Sequence, residues 1–349
     1  PLAGPGSLAP TILLSVTGQK SLATQKKRSQ RHRKFAVNRA AKPNREGNEN
    51  VDLNQSMMFR MKVGLGFIAA LDQSGQSTPN ALSLYGIDAS EREADSKMYD
   101  LIHKMRSRIA QSKDFNGDRV IGAILFEDTM NRTIDGVPTS RFLWERKGIV
   151  PFLKIDKGLE PANKDVQLLK PIPDLTDLLR RAVAHGIFGT KQRSVVHGAN
   201  QDGIRLVVEQ QLDLARKVLG HGLVPIMEPE IDIHIPDKRQ AEAILLEELL
   251  SGLNRLPDDG CQVMLKVSLP SESNLYEPVT AHPKVLRVVA LSGGYSRDQA
   301  NEKLALNIGI IASFSRALTE GLTSQQTEAE FDRQLGASIG CIYDASTSG

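Results

Sequence analysis

Residues 262–270, QVMLKVSLP, form a short apolar run with β-branched members. Asp-Asp-Gly at 258–260 precedes the run and Pro-Ser-Glu-Ser at 270–273 follows it, and such polar and turn-forming residues commonly bound strands. The length and the flanking residues favour a buried strand over a helix. The one charged residue of this strand is Lys266, near its C-terminal end.

Lys266 is an unusual residue for a buried strand. Burying a cation in such a strand costs about several kcal/mol of desolvation free energy unless the cation is paired or deprotonated. An amine held near its neutral form can condense with a carbonyl to give a Schiff base. The alternative is that only the aliphatic stem is buried and that the ammonium reaches solvent.

The bulk composition is that of an ordinary globular protein. The 349 residues are 40% hydrophobic and 24% charged, and one α/β barrel would account for most of this length. The sequence contains no run of 18 apolar residues, so it predicts no membrane-spanning helix. The two cysteines, Cys261 and Cys341, form no CxxC-type pattern, which argues against a disulfide framework or a zinc site and fits a reducing compartment.

The positive charge is concentrated at the N-terminus. Residues 1–45 contain ten Lys or Arg and no acidic residue, so residues 46–349 carry +3 − 10 = −7. An acidic main body argues against nucleic acid as the partner. We predict that residues 1–45 are a disordered leader resembling a plastid transit peptide, with a mitochondrial leader, cytoplasmic residence or a basic RNA-binding tail as alternatives, and that residues 46–349 form a single domain.

From residue 58 onward, short apolar runs alternate with amphipathic stretches. The amphipathic stretches predict helices over 96–112, 201–219, 238–253 and 327–339, and Ser296 is predicted to cap another helix. Eight runs predict strands: 66–72, 120–127, 150–156, 188–196, 223–231, 262–269, 287–293 and 309–314. Eight strands that each precede a helix predict a (β/α)8 TIM barrel. An open doubly wound sheet is the alternative, although no GxGxxG follows the first strand.

Polar residues gather at the C-terminal ends of these strands, where barrel enzymes build their sites. They are Asp72, Lys154, Lys191, Arg193, Glu228, Glu230, Lys266, Ser292, Gly293, Gly294 and Arg316. Lysines near Lys266 would lower its pKa, and Glu228 and Glu230 would form a pair with one carboxyl poised to deliver a proton. Asp72 is a further candidate base for a substrate hydroxyl.

Two anion sites are also predicted at this end. One combines Ser292, Gly293 and Gly294 with Arg316, in the usual position of a barrel phosphate pocket. The other uses the hydroxyls of Ser74 and Ser77 after the first strand. Two anion sites on either side of an amine nucleophile predict a substrate that is phosphorylated at both ends.

Several motifs together resemble class I fructose-1,6-bisphosphate aldolases, closest to the short form of bacteria and some plastids. The motifs are FIAALDQSG at 67–75, VPFLKIDK at 150–157, PIMEPE at 225–230, LK at 265–266 and LSGGYS at 291–296. The resemblance covers nearly all of residues 58–345. It implies a TIM barrel that needs no metal cofactor, binds a sugar bisphosphate and often forms homo-oligomers.

The resemblance also implies a role for each residue. Lys266 would form the Schiff base with the C2 ketone, Glu228 would be the acid and base beside Glu230, and Asp72 would take the C4 hydroxyl proton with electrostatic help from Lys191. The remaining residues would bind phosphate. Lys154, Ser292, Gly293 and Arg316 would hold the C1 end, and Ser74, Ser77 and Arg193 the C6 end.

Two departures from the family pattern stand out. Animal-type members end in a functional tyrosine, but Tyr343 is followed by six more residues and is not assigned that role. The family's glycine before the phosphate-binding arginine is Ser315 here.

Other functions remain open on sequence alone. They are a sedoheptulose-bisphosphate aldolase, another Schiff-base aldolase or transaldolase, and a non-catalytic scaffold. A metal-dependent aldolase is a further alternative, since residues with ligating side chains cluster around the fifth strand: His221, Glu228, Glu230, Asp232 and His234.

Overall fold

The computed structural model describes residues 46–348, apart from residues 76, 89 and 91–94. The predicted leader, residues 1–45, lies outside the described residues. Eight parallel strands form the central sheet in chain order: β1 Phe67–Leu71, β2 Val120–Leu125, β3 Val150–Lys154, β4 Gly189–Val196, β5 Val224–Ile231, β6 Val263–Ser268, β7 Val285–Leu291 and β8 Ile310–Ala312. The N–H of Ala70 donates to the carbonyl of Phe314 at 3.0 Å, which brings the first and last strands together. The predicted TIM barrel is confirmed.

Helices surround this sheet. They are α1 Glu46–Val63, α2 Ser77–Leu84, α3 Asp95–Gln111, α4 Glu127–Met130, α5 Thr139–Arg141, α6 Leu175–Ala184, α7 Gln201–Leu219, α8 Lys238–Asn254, α9 Glu277–Thr280, α10 Arg297–Ala305, α11 Arg316–Thr319 and α12 Glu328–Thr347. A π-helical turn, Phe142–Arg146, follows α5. The short strands Thr133–Ile134 and Val137–Pro138 form a hairpin, and Val166–Gln167 pairs antiparallel with β4.

The predicted elements agree closely with the observed ones. Each of the eight strands lies within two residues of its predicted bounds. Ser296 caps α10 through a reciprocal capping box with Gln299, as predicted. Only α12 differs appreciably, because it continues to Thr347 where the apolar pattern predicted an end at residue 339. The boundary between leader and domain stays a prediction.

The barrel interior is apolar at one end and polar at the other. Met57 and Met61 of α1 are fully buried and pack among inward-facing strand residues, including Phe152, Ile226 and Met264. Because strand side chains alternate, the next inward positions are two residues further along, at Lys154, Glu228 and Lys266. The methionines therefore fill the N-terminal end, and the ionisable groups meet at the C-terminal end.

Candidate active site

Four charged side chains form a continuous chain of contacts at the C-terminal end of the barrel. The Nζ of Lys266 lies 3.0 Å from Oε1 of Glu228. The other carboxylate oxygen of Glu228 lies 2.9 Å from Nζ of Lys191, which in turn lies 2.6 Å from Oδ2 of Asp72. We call these four residues the buried quartet, since none is more than 8% exposed.

Burial decides the environment of Lys266. The residue is only 4% exposed, so the alternative in which its ammonium reaches solvent is wrong. Two amines and two carboxylates compensate one another, which is what makes four buried charges tolerable in one place. The quartet therefore gives a buried amine a direct carboxylate neighbour.

The carboxylates of the quartet are held in their ionised form. Burial alone would raise the pKa of Asp72, but Lys191 and Lys266 outweigh it and hold this pKa well below its usual range. The pKa of Glu228 is lowered for the same reason by the same two ammonium groups. Burial opposes the charge on Lys191 too, yet Asp72 and Glu228 raise its pKa well above normal. In the resting quartet, Asp72 and Glu228 are therefore carboxylates and Lys191 is an ammonium.

The expected proton-poised carboxyl in the Glu228–Glu230 pair stays a prediction, although the lowered pKa of Glu228 does not favour a proton on that residue in the resting site. Glu228 is ionised, and half-buried Glu230 is engaged with the guanidinium of Arg193. Burial would lower the pKa of Arg193, but Glu230 outweighs it and raises the pKa above its normal value. The expected repulsion between lysines also takes another form, because Lys191 and Lys154 each face carboxylates. The fraction of free amine on Lys266 that was expected from the nearby lysines stays a prediction.

The quartet lines a cavity of about 380 Å³. Most predicted site residues share this cavity: Asp72, Ser77, Lys154, Lys191, Arg193, Glu228, Glu230, Lys266, Ser292, Gly293 and Arg316. A second cavity of about 850 Å³ shares part of its wall and adds Ser74, Gly75, Lys157 and Lys170. The walls of the two cavities together carry more cationic than acidic side chains.

In the loop after β7, where the sequence predicts a phosphate pocket, two consecutive glycines adopt a backbone suited to residues without a side chain. Gly293 and Gly294 have φ angles of 62° and 117°, a region that disfavours side chains. A Cβ on Gly293 would lie 2.9 Å from Cγ2 of Ile233. A Cβ on Gly294 would lie 3.7 Å from Nη2 of Arg316, so the missing side chain leaves space directly in front of this guanidinium.

The other predicted anion site is a tight turn after β1. The hydroxyl of Ser77 accepts from the N–H of Ser74 at 2.9 Å and donates to its carbonyl at 2.8 Å. Lys154 was expected with Ser292 and Arg316, but it lines both cavities and shares the second one with Ser74, Ser77 and Arg193. Its geometry therefore fits the Ser74 side at least as well.

Sequence reasoning missed Gln73, Asn80, Ser313 and Arg106. The first three line the main cavity. Arg106, on α3, is 1% exposed and bonds to the backbone of Gln73. The position of Gln73 directly after Asp72 was a usable signal, whereas an arginine on an amphipathic helix normally indicates a solvent-facing position.

The histidine and carboxylate cluster around β5 does not form a ligand set. His221 precedes the strand, where its Nδ1 donates to the carbonyl of Lys217 at 2.9 Å, whereas Glu228 lies towards the other end of the strand. Asp232 accepts from the N–H of His234 at 3.0 Å. Within the described residues, no three His, Cys, Asp or Glu side chains are arranged to hold a metal ion. No helix among them is long and apolar enough to cross a membrane.

The chain is similar to known proteins over most of its length. The structure is similar to that of a fructose-bisphosphate aldolase from Plasmodium falciparum, solved in complex with TRAP and a small-molecule inhibitor, with a TM-score of 0.69 over 86% of this chain and 96% of that one. At 21% sequence identity, this likeness bears on the fold alone.

Curated relatives are much closer in sequence. A fructose-bisphosphate aldolase class 1 from Synechocystis sp. is 56% identical, over 84% of this chain and 97% of the relative. Proteins of the same description from Porphyromonas gingivalis and Clostridium acetobutylicum are 53% and 51% identical, over 84% of this chain and 99% of each relative. The family model described as fructose-bisphosphate aldolase class-I matches residues 53–250. The chain therefore belongs to the class I fructose-bisphosphate aldolase family.

Proposed function

We propose that this protein cleaves fructose 1,6-bisphosphate reversibly to dihydroxyacetone phosphate and glyceraldehyde 3-phosphate, through a Schiff base on Lys266 and without a metal cofactor. The observation that carries the proposal is the 3.0 Å contact between the buried amine of Lys266 and the carboxylate of Glu228. Cationic and hydroxyl groups that line the two cavities support a substrate with two phosphates.

The quartet supports a balanced sequence of proton transfers. Glu228 takes a proton from the Lys266 ammonium, and the free amine attacks the C2 ketone to give a carbinolamine. Loss of the ammonium charge raises the proton affinity of Glu228, which returns the proton to the departing hydroxyl. Water leaves and the iminium remains.

Asp72 supports the cleavage step. Its carboxylate takes the C4 hydroxyl proton, the C3–C4 bond breaks, and the electron pair flows into the iminium to give an enamine on Lys266. The aldehyde half leaves as glyceraldehyde 3-phosphate. Protonation of the enamine and hydrolysis then release dihydroxyacetone phosphate and the free lysine.

We assign the C1 phosphate to Ser292, Gly293, Gly294 and Arg316. Ser74, Ser77 and Arg193 take the C6 phosphate. We place Lys154 in this second group and not at the C1 end, where the resemblance placed it, because it shares the larger cavity with all three. Glu230 keeps the guanidinium of Arg193 in place.

A heptulose bisphosphate is a second candidate substrate. The cavity of about 850 Å³ at the C6 end offers room for one further carbon. Comparing kcat/KM for sedoheptulose 1,7-bisphosphate and fructose 1,6-bisphosphate decides between them, and a ratio below about 0.01, equivalent to about 2.7 kcal/mol, argues against the heptulose.

Borohydride trapping tests the main proposal. Incubation with dihydroxyacetone phosphate and borohydride should abolish activity and leave a reduced adduct that mass spectrometry locates on Lys266. Borohydride alone should have no effect, and activity should persist in EDTA. An adduct on another lysine, or loss of activity in EDTA, would overturn the proposal.

We also propose that residues 1–45 direct import into a plastid, where this activity would serve the Calvin cycle. The support is compositional, since the segment has ten basic and no acidic residues. Fusing residues 1–45 to a fluorescent protein and incubating it with isolated chloroplasts and mitochondria tests this. Retention outside both organelles would overturn it.

A further inference from the structure

Gln73 connects two loops that carry different parts of the active site. Its Nε2 donates to the hydroxyl of Ser315 at 2.7 Å. Gln73 directly follows Asp72, and Ser315 directly precedes Arg316. The bond spans 242 positions of sequence and joins the loops after the first and last strands, beside the Ala70–Phe314 contact.

Arg106 fixes the other face of Gln73. Its Nη2 donates to the backbone carbonyl of Gln73 at 2.5 Å and to Oε1 at 3.3 Å. Its Nη1 donates to the hydroxyl of Thr129 at 2.7 Å. Burial lowers the pKa of Arg106 to about 10, so the guanidinium stays charged at neutral pH. A buried cation with these fixed partners orients the Gln73 amide so that its NH₂ group faces Ser315.

The position of the Arg316 side chain depends on the backbone that carries it. Among the described residues, no ion pair or side-chain hydrogen bond holds its guanidinium. The backbone before it is restrained instead, since the carbonyl of Ser315 accepts from the N–H groups of Leu318 and Thr319, each at 3.1 Å. The hydroxyl of Ser315 further ties this stretch of backbone to the side chain of Gln73.

We infer that Arg106, Gln73 and Ser315 form a positioning relay that sets the guanidinium of Arg316 for the substrate phosphate. The inference rests on the proposed role of Arg316 in phosphate binding. None of the three relay residues acts on reacting atoms. Ser315 stands where the family has a glycine. Its hydroxyl links the relay to the loop after the last strand, which carries Arg316.

Ser315→Ala removes the hydroxyl that accepts from Gln73 and keeps the backbone hydrogen bonds from Leu318 and Thr319 to the Ser315 carbonyl. We expect KM for fructose 1,6-bisphosphate to rise by about three- to tenfold, the effect of one hydrogen bond, while kcat stays within about twofold. Ser315→Thr keeps the hydroxyl and should restore KM. Ser112→Ala is the matched control, because it also removes a long-range hydrogen bond, to Asp332 at 2.6 Å, but away from the cavity.

A double-mutant cycle separates the relay from a general structural effect. In an Arg316→Met background, Ser315→Ala should cause no further rise in KM, since the guanidinium that it positions is gone. Additive effects, or a fall in kcat with KM unchanged, would overturn the inference.

The affinity for inorganic phosphate, measured by calorimetry, tests the relay in the absence of turnover. Ser315→Ala should weaken phosphate binding by about three- to tenfold in the Arg316 protein and leave it unchanged in Arg316→Met. An equal affinity of wild type and Ser315→Ala would overturn the relay. Failure of the wild type to form a Lys266 adduct would instead overturn the proposed function, so the two failures are distinguishable.

Discussion

The carboxylate of Glu228 lies 3.0 Å from the amine of Lys266, within reach of direct proton exchange. The carboxylate is ionised because Lys191 and Lys266 lower its pKa against the effect of burial. A base and a prospective nucleophile are thus paired before substrate arrives. Any step that neutralises the Lys266 amine also raises the proton affinity of Glu228, so the protonation states of the two groups are coupled.

Glu228→Gln should slow turnover by about 10²- to 10⁴-fold, the usual contribution of a general acid and base. Glutamine keeps the shape of the side chain but cannot take the Lys266 proton. The rate of borohydride-trappable adduct formation, followed in single turnovers, measures the affected step directly.

Glu145→Gln is the matched control for that variant. Glu145 is exposed and pairs with Arg141 at 2.9 Å on the surface, so its loss should change neither rate. An unchanged rate of adduct formation in Glu228→Gln would show that Glu228 does not exchange a proton with Lys266.

Lys266→Met should abolish both turnover and adduct formation while the barrel stays folded. Glu228 keeps Lys191 as its partner, so no isolated buried charge remains. Lys154→Met, which removes a lysine lining the same cavity, should raise KM but still give the adduct. Adduct formation by Lys266→Met at the wild-type rate would refute the nucleophile assignment, and a thermal melt checks the fold.

Lys191→Met should shift the acidic limb of the pH–kcat/KM profile to higher pH by about one to three units. Lys191 lowers the pKa values of Asp72 and Glu228, so its removal raises both and lets them protonate sooner as the pH falls. Lys164→Met is the control, because its exposed amine lies 3.9 Å from Asp202. An unshifted limb would mean that neither carboxylate limits activity in acid.

The depressed pKa of Asp72 also makes a stability prediction. A carboxyl whose pKa is lower in the folded state stabilises the fold above its unfolded pKa of about 3.9, and this contribution disappears as the pH falls through the folded pKa. Asp72→Asn should therefore be less stable than wild type at pH 7, with a difference that shrinks in acid by at most about 1.4 kcal/mol per pH unit. Urea unfolding at several pH values measures it, and a constant difference would contradict the pKa assignment.

The sequence was sufficient to predict the barrel and the convergence of the candidate site residues on one cavity. Strand alternation placed Lys154, Glu228 and Lys266 on the inner side, two residues beyond buried apolar positions. Such periodicity needs no tertiary information. It therefore predicted which residues converge, but not which of them touch.

The partners depend on the stagger between strands, which no single strand encodes. In β4 and β5, Lys191 is in register with Ile226, and Arg193 with Glu228. Lys191 nevertheless reaches Glu228, two positions further along. Arg106 was missed for a related reason, because only helix packing decides that this charged side chain points into the protein.

Gly293→Ala should weaken substrate binding and lower thermal stability together. Alanine at a φ of 62° costs about 1–2 kcal/mol, and its Cβ would lie 2.9 Å from Cγ2 of Ile233, so the loop after β7 must shift. Gly136→Ala is the matched control, since its φ is 72° but nothing lies within 4 Å of the added Cβ. Both variants should lose about 2–8 °C in melting temperature, but only Gly293→Ala should raise KM, by about tenfold or more, as expected for a loss of about 1.4 kcal/mol. An equal KM in the two variants would show that the loop after β7 does not contact the phosphate.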